Sequence, residues 1–206
     1  MATDDLRDAT VQQIFHLSLG GSALRVHVSN AFGTEPLHFR AVHIARPSST
    51  SSSAIDTATD RALTFAGSSE VTVPPGAESV SDALDYPVAA LFDLSVTFHL
   101  DLPPTRQTGH PGSRATTYFV HGDFVAVQNL PEAKHVDHRY QISGIDVLAP
   151  WGAASIAVLG DSITDGHGAA TTETTAGRCV GAAAAGVPRV REMLVSQTRA
   201  LAETTC

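Results

Sequence analysis

The sequence predicts a mostly β protein: an N-terminal antiparallel β-sandwich, jelly-roll-like, over residues 1–150, then the first strand and part of an α/β domain over 151–206. Three observations carry this. Short segments before residue 150 alternate apolar and polar residues, the period of a half-buried strand. Turn residues punctuate them at short intervals, which favours a sandwich over anything helical. After Ala149-Pro150-Trp151-Gly152 the alternation gives way to a continuous apolar run, Ser155 to Leu159, of the kind a parallel strand buried on both faces requires.

Taken in order, strands are expected at Val11–Leu19, Leu24–Ser29, Leu37–Ala45, Leu63–Phe65, Val71–Val73, Leu91–Leu100, Thr116–Val120 and Tyr140–Leu148. Leu24-Arg25-Val26-His27-Val28-Ser29 is the cleanest alternation. Gly20-Gly21, Gly33 with Pro36, Pro74-Pro75-Gly76, Pro103-Pro104 and Gly109 to Gly112 supply the turns. The Ser48–Ser53 run reads as a flexible loop. His16, His27, His43 and His99 fall at strand positions that read as the solvent face, and Tyr118, Phe119 and Phe124 as sandwich core rather than a carbohydrate-binding face.

The tail differs. From Thr174 onward Arg178, Arg189, Arg191 and Arg199 outnumber Glu192 and Glu203, in a chain whose net charge is −8. Pro188 to Ala202 has the spacing of one amphipathic helix, with Val190, Met193, Leu194 and Leu201 on a face. With no second strand to cover, the stretch from Thr171 to Cys206 is expected to pack loosely.

Composition narrows the partners. The acidic balance argues against nucleic acid or an anionic membrane surface. No apolar run approaches the ~18 residues of a membrane span, and Met1-Ala2-Thr3-Asp4-Asp5 is no signal peptide. Cys179 and Cys206 form neither a disulfide framework nor a metal-ligand spacing. His135-x-Asp137-His138 is the densest group of possible ligands, but neighbours on a strand point to opposite faces, so a solvated loop is the better reading and no metal or cofactor is expected. Asp161-Ser162-Ile163 lacks the second carboxylate of a D-x-D phosphatase, and no G-x-x-x-x-G-K-[ST] phosphate loop occurs.

The chemistry is concentrated in Ile156-Ala157-Val158-Leu159-Gly160-Asp161-Ser162-Ile163-Thr164-Asp165-Gly166. A buried strand that ends at a glycine, with a serine within three positions, presents that hydroxyl at the lip of a sheet, where the serine's own N–H can face an oxyanion. A Gly-Asp-Ser triplet alone is a common turn or helix cap; the flanks make it a nucleophile candidate.

This segment resembles the first sequence block of the SGNH (GDSL-type) hydrolases, esterases and lipases with a flavodoxin-like α/β fold. Upstream, Ile14-Phe15-His16-Leu17-Ser18-Leu19-Gly20-Gly21-Ser22, Ser29-Asn30-Ala31-Phe32-Gly33-Thr34 and Ser143-Gly144-Ile145-Asp146-Val147 look like the β-sandwich that precedes the catalytic domain in one secreted branch, so the resemblance spans about residues 10–172. It implies that Ser162 is the nucleophile and one oxyanion donor, that Asp161 braces the loop, and that the substrate is a small-molecule, carbohydrate or lipid ester. It also implies secretion.

The family further needs a glycine and an asparagine as oxyanion donors and a D-x-x-H pair near the C-terminus. No D-x-x-H occurs in this chain, and His167, the sole histidine after Ser162, is a poor substitute. A hydroxyl without a base in reach is a weak nucleophile, so the chain as it stands is expected to be inactive, a truncated or frame-shifted member. In a displaced frame the codons from Gln197 to Thr204 are compatible with Asn-x-Gly-Ile-Gly-Gly-Asn, similar to the family's oxyanion-glycine block, which places an expected frame error between about Thr171 and Arg178. The alternative is a non-catalytic sandwich module for binding or packing that carries a remnant of the esterase.

Overall fold

The computed structural model describes residues 4–102, 106–154, 161 and 194–195. Its strands, in chain order, are β1 (Ala9–Leu17), β2 (Gly21–Ser29), β3 (Leu37–Pro47), β4 (Ile55–Ala62), β5 (Val71–Val73), β6 (Glu78–Val80), β7 (Leu84–Val88), β8 (Phe92–Leu100), β9 (Gly109–Pro111), β10 (Thr117–His121), β11 (Lys134–Val136), β12 (His138–Tyr140), β13 (Ile142–Val147) and β14 (Leu194–Val195). Among the described residues there is no helix, and the strand pairings are antiparallel. The mostly β, sandwich-type fold is thus present; the α/β part expected from 151 lies outside the described residues, apart from residues 151–154, Asp161 and β14.

Two sheets face each other. One runs β11-β10-β1-β8-β3-β4, with β5 also on β3; the other runs β14-β13-β2-β6, with β7 also on β2. Alternation explains the core between them. Val11, Phe15 and Leu17 of β1, Phe39, Val42 and Ile44 of β3, and Leu94, Val96, Phe98 and Leu100 of β8 meet Leu24, Val26 and Val28 of β2 and Ile145 and Val147 of β13 in one buried cluster. Phe39 and Phe98 pack edge to face at 5.4 Å, an arrangement that adds about 0.5–1.5 kcal/mol beyond area burial.

The other face of the larger sheet is also covered, although it is polar. Thr10, Gln12, Ser95, Thr97 and His99 are all buried. The cover is the 122–130 loop. Thr10 Oγ1 donates to the Gly122 carbonyl at 2.6 Å and accepts from Phe124 N at 2.8 Å. At the far end Ile55 N donates to the Gln128 carbonyl at 2.8 Å, and Ser53 Oγ donates to Asn129 Oδ1 at 2.6 Å. The loop therefore crosses from β1 to the start of β4, and its Val125 and Leu130 are buried away from the main core.

This cover corrects one expectation. His99 was placed on the solvent face, but it is 3% exposed, with Nε2 3.1 Å from Asp8 Oδ1; His16, His27 and His43 are half-buried. Phe119 joins the core as expected, whereas Tyr118 is buried on the other face, opposite Gln12, and Phe124 is half-buried. Ser48–Ser53 is a loop of turns and bends, yet its last serine is pinned by Asn129 and Leu130 rather than free.

Strand boundaries moved where local chemistry competes with alternation. Leu63–Phe65 is not a strand: Phe65 and Ser68 close a tight turn through Ala66 and Gly67, both at positive φ, the geometry of a type I′ hairpin turn. The Asp82 carboxylate holds that turn, accepting from Thr64 Oγ1 at 2.6 Å, Ala66 N at 3.1 Å and Gly67 N at 2.8 Å. These bonds, Thr64's foremost, hold Asp82 below the usual carboxylate range. The expected Tyr140–Leu148 strand is broken at Gln141, whose positive φ separates β12 from β13. Leu194 and Val195, expected on a helix, instead form β14 beside Val147 and Asp146; β13 would otherwise end as an open edge, and strand addition satisfies its backbone groups.

Candidate functional site

The nucleophile candidate Ser162 lies outside the described residues. Asp161 is described; it is exposed and in irregular backbone. What the structure does show is how the chain is delivered towards them. Leu148 N donates to the Ala23 carbonyl at 2.8 Å, and Ser22 N donates to the Leu148 carbonyl at 3.2 Å, so the end of β13 is tied to the start of β2. Pro150 to Ala153 then turn, with Ala153 N donating to the Pro150 carbonyl at 3.2 Å and Gly152 at φ 88°.

The conspicuous motif Ser29–Thr34 has a structural task. Asn30 is wholly buried, and its Nδ2 donates to the carbonyls of Glu35 at 2.8 Å and Val73 at 3.0 Å. Its backbone carbonyl accepts from Gly33 N at 3.1 Å and Gly76 N at 3.0 Å, while its N donates to the Ala77 carbonyl at 2.9 Å. One asparagine thus joins the β2–β3 turn to the β5–β6 turn. Gly33 is required by close approach: a Cβ there would fall 1.8 Å from Asn30 Oδ1.

Buried glutamines do related work, and sequence reasoning missed them. Gln13 faces the core, where its Nε2 donates to the Tyr140 carbonyl at 2.7 Å and its Oε1 accepts from Tyr140 N at 3.1 Å. That two-bond clasp joins β12 to β1. The Arg139 guanidinium, 4.0 Å over the Phe15 ring, and its bond to the Ile14 carbonyl at 2.9 Å reinforce it. Tyr140's hydroxyl donates to Asp4, and burial, followed by that bond, pushes its ionisation well above the usual tyrosine range.

Histidine–carboxylate pairs recur. His16 Nδ1 lies 2.8 Å from Asp93, directly opposite it in the ladder, and His27 Nε2 lies 2.9 Å from Asp146. His43 Nδ1 is 2.9 Å from Asp60, and His38 contacts Asp101 at 3.0 Å and Glu70 at 3.3 Å. Asp101 also binds the Arg40 guanidinium, the chief cause holding its carboxyl below the usual range. Cross-strand pairs of this kind contribute about 0.2–1 kcal/mol each and stabilise sheets. They are on separate strands and do not converge: among the described residues no group of three or more His, Cys, Asp or Glu is placed to hold a metal. His135, Asp137 and His138 illustrate this, and correct the solvated-loop reading. β11 carries His135 against the Tyr118 ring, β12 carries His138 near Tyr140 Oη at 3.3 Å, and Asp137 between them accepts from Thr116 Oγ1 at 3.2 Å.

A cleft of about 230 Å³ is lined by Arg46, Thr59, Arg61, Asp85, Tyr86 and Phe92, among others. Its size falls below the ~300–1,000 Å³ of ligand sites. Arg61 is already held by the Ala58 and Asp60 carbonyls, and Arg46 lies over Phe92 at 5.1 Å.

Comparison with known proteins finds no family model that matches the chain and no curated protein that matches it.

Proposed function

We propose that the chain derives from an SGNH/GDSL-type ester hydrolase in which Ser162 attacks the carbonyl of a carboxylic or acetyl ester, forming an acyl-enzyme that water then cleaves. The single observation that carries this reading is the run Ile156–Leu159 followed by Gly160-Asp161-Ser162. It is supported by the setting: a mostly β sandwich with a continuous core precedes the run. Ser162 supplies the nucleophile and one oxyanion N–H, and Asp161 braces the loop. The ester is of small-molecule, carbohydrate or lipid origin, and no cofactor takes part.

The residues in hand hold no Asp-x-x-His pair. Loss of the histidine in a serine triad costs on the order of a million-fold in turnover. The 206-residue chain is therefore expected to hydrolyse a short-chain p-nitrophenyl ester at background rate. Added imidazole, a diffusible base, should restore turnover above that of a Ser162→Ala control treated identically. Equal rates in the two proteins at every imidazole concentration would favour the second reading, a non-catalytic sandwich module, for which the completeness of the β1–β13 sandwich speaks.

A further inference from the structure

One end of the sandwich gathers several exposed apolar side chains. Residues 18–22, 87–92 and 148–154 converge there and contain no ionisable side chain. The convergence is tight: a Cβ at Gly20 would lie 2.7 Å from Ala90 N, and one at Gly21 would lie 2.6 Å from the Leu148 carbonyl. Three large apolar side chains stand out from these segments: Leu91 at 59% exposure, Leu148 at 55% and Trp151 at 81%. Single exposed apolar residues are ordinary, whereas several at one end mark a contact surface.

The course of the chain says what covers it. After Ala154 the chain leaves from this end, and at Leu194–Val195 it is back beside Val147 and Asp146, the last residues of β13. The excursion is pinned to the same end of the sandwich at both its start and its return. Its first residues are the apolar run Ile156-Ala157-Val158-Leu159. Seven residues lie between Leu148 and Ile156, so the two Cα atoms can stand at most ~29 Å apart. That run needs apolar cover on both faces, and the sandwich end offers one.

We propose that this end of the sandwich, with Leu91, Leu148 and Trp151 as its contact residues, is the docking surface for residues 155–170 of the same chain. This docking holds whether or not Ser162 is a nucleophile. A second copy of the chain is the competing occupant.

Trp151 is the only tryptophan, so its fluorescence reports on this face alone. In the full chain, acrylamide quenching of Trp151 is expected to be several-fold weaker in the native state than in urea, at all protein concentrations. Leu91→Glu and Leu148→Glu should raise native quenching towards the urea value while leaving the far-ultraviolet β signal intact. Native quenching equal to that in urea overturns the proposal. So does protection that disappears on dilution, which assigns the face to a second copy. Should a variant fail to fold, hydrogen exchange of the wild-type Ile156–Leu159 amides decides: slow exchange supports docking, and exchange at the free-peptide rate refutes it. None of these readouts depends on ester turnover, so this proposal and the hydrolase reading fail separately.

Discussion

Gly33→Ala tests whether the Ser29–Thr34 turn is built around Asn30. The new methyl would sit 1.8 Å from Asn30 Oδ1 and 2.7 Å from its Cγ, so the amide must leave its place. Leaving it breaks the bonds from Nδ2 to the Glu35 and Val73 carbonyls, at 2.8 and 3.0 Å. Each bond is worth about 0.5–1.5 kcal/mol net, and each carbonyl left buried and unpaired adds to the cost, so the loss should reach about 2–4 kcal/mol. For a domain of this size that lowers Tm by roughly 4–16 °C. Urea denaturation of the single and double variants measures it. Asn30→Ala removes the obstructing amide; in that background Gly33→Ala should cost under about 0.5 kcal/mol, a large coupling between the two sites. If Gly33→Ala costs less than about 1 kcal/mol alone, or as much in the Asn30→Ala background as in the wild type, the reasoning fails.

Two further outcomes follow from polar side chains that satisfy backbone groups. Gln13→Leu keeps the volume but orphans Tyr140 N and its carbonyl, for a loss of about 2–4 kcal/mol. Gln12→Leu, which removes a single bond to Ser95 Oγ and an oxygen without a partner, should cost about 1 kcal/mol or less; urea midpoints that reverse this order would refute the clasp. Asp82, held below the usual carboxylate range by Thr64, Gly67 and Ala66, contributes stability that is present above the unfolded aspartate value near 3.9 and is lost as pH falls through the lower folded value. Asp82→Asn should therefore be less stable than wild type at pH 7 and should show a shallower loss between pH 4 and 2, read from urea midpoints; parallel acid profiles would remove Asp82 from the account.

Alternation identified β1, β2, β3, β5, β8, β10 and most of β13, because each has one face on the main core. It failed on β4, whose Ile55-Asp56-Thr57-Ala58-Thr59-Asp60-Arg61-Ala62 lies at the sheet edge and buries only Ile55. An edge strand solvated on both faces carries no period-2 signal. β6, β9, β11 and β12 are three residues long, too short for a period to register. His99 was misplaced because alternation assigns a face without saying what lies over it; only the bonds of the 122–130 loop to Thr10 and Ser53 reveal the cover. The roles of Asn30 and Gln13 depend on partners far along the chain, at Val73 and Tyr140. Ser162 and Asp161 stand out by local context alone.

The polar cover of the larger sheet has a consequence for how the molecule opens. Sheets ordinarily fray from their edges, strand by strand, and local opening costs less there than in the centre. Here the 122–130 loop is fastened to β1 at Thr10 and to the start of β4 at Ile55, with β8 and β3 beneath it. Detaching the first residue of β4 pulls on the same loop that shields Thr97 and His99. The outermost strand and the middle of the sheet are thereby yoked into one cooperative unit, and the weakest strand borrows its lifetime from the strongest.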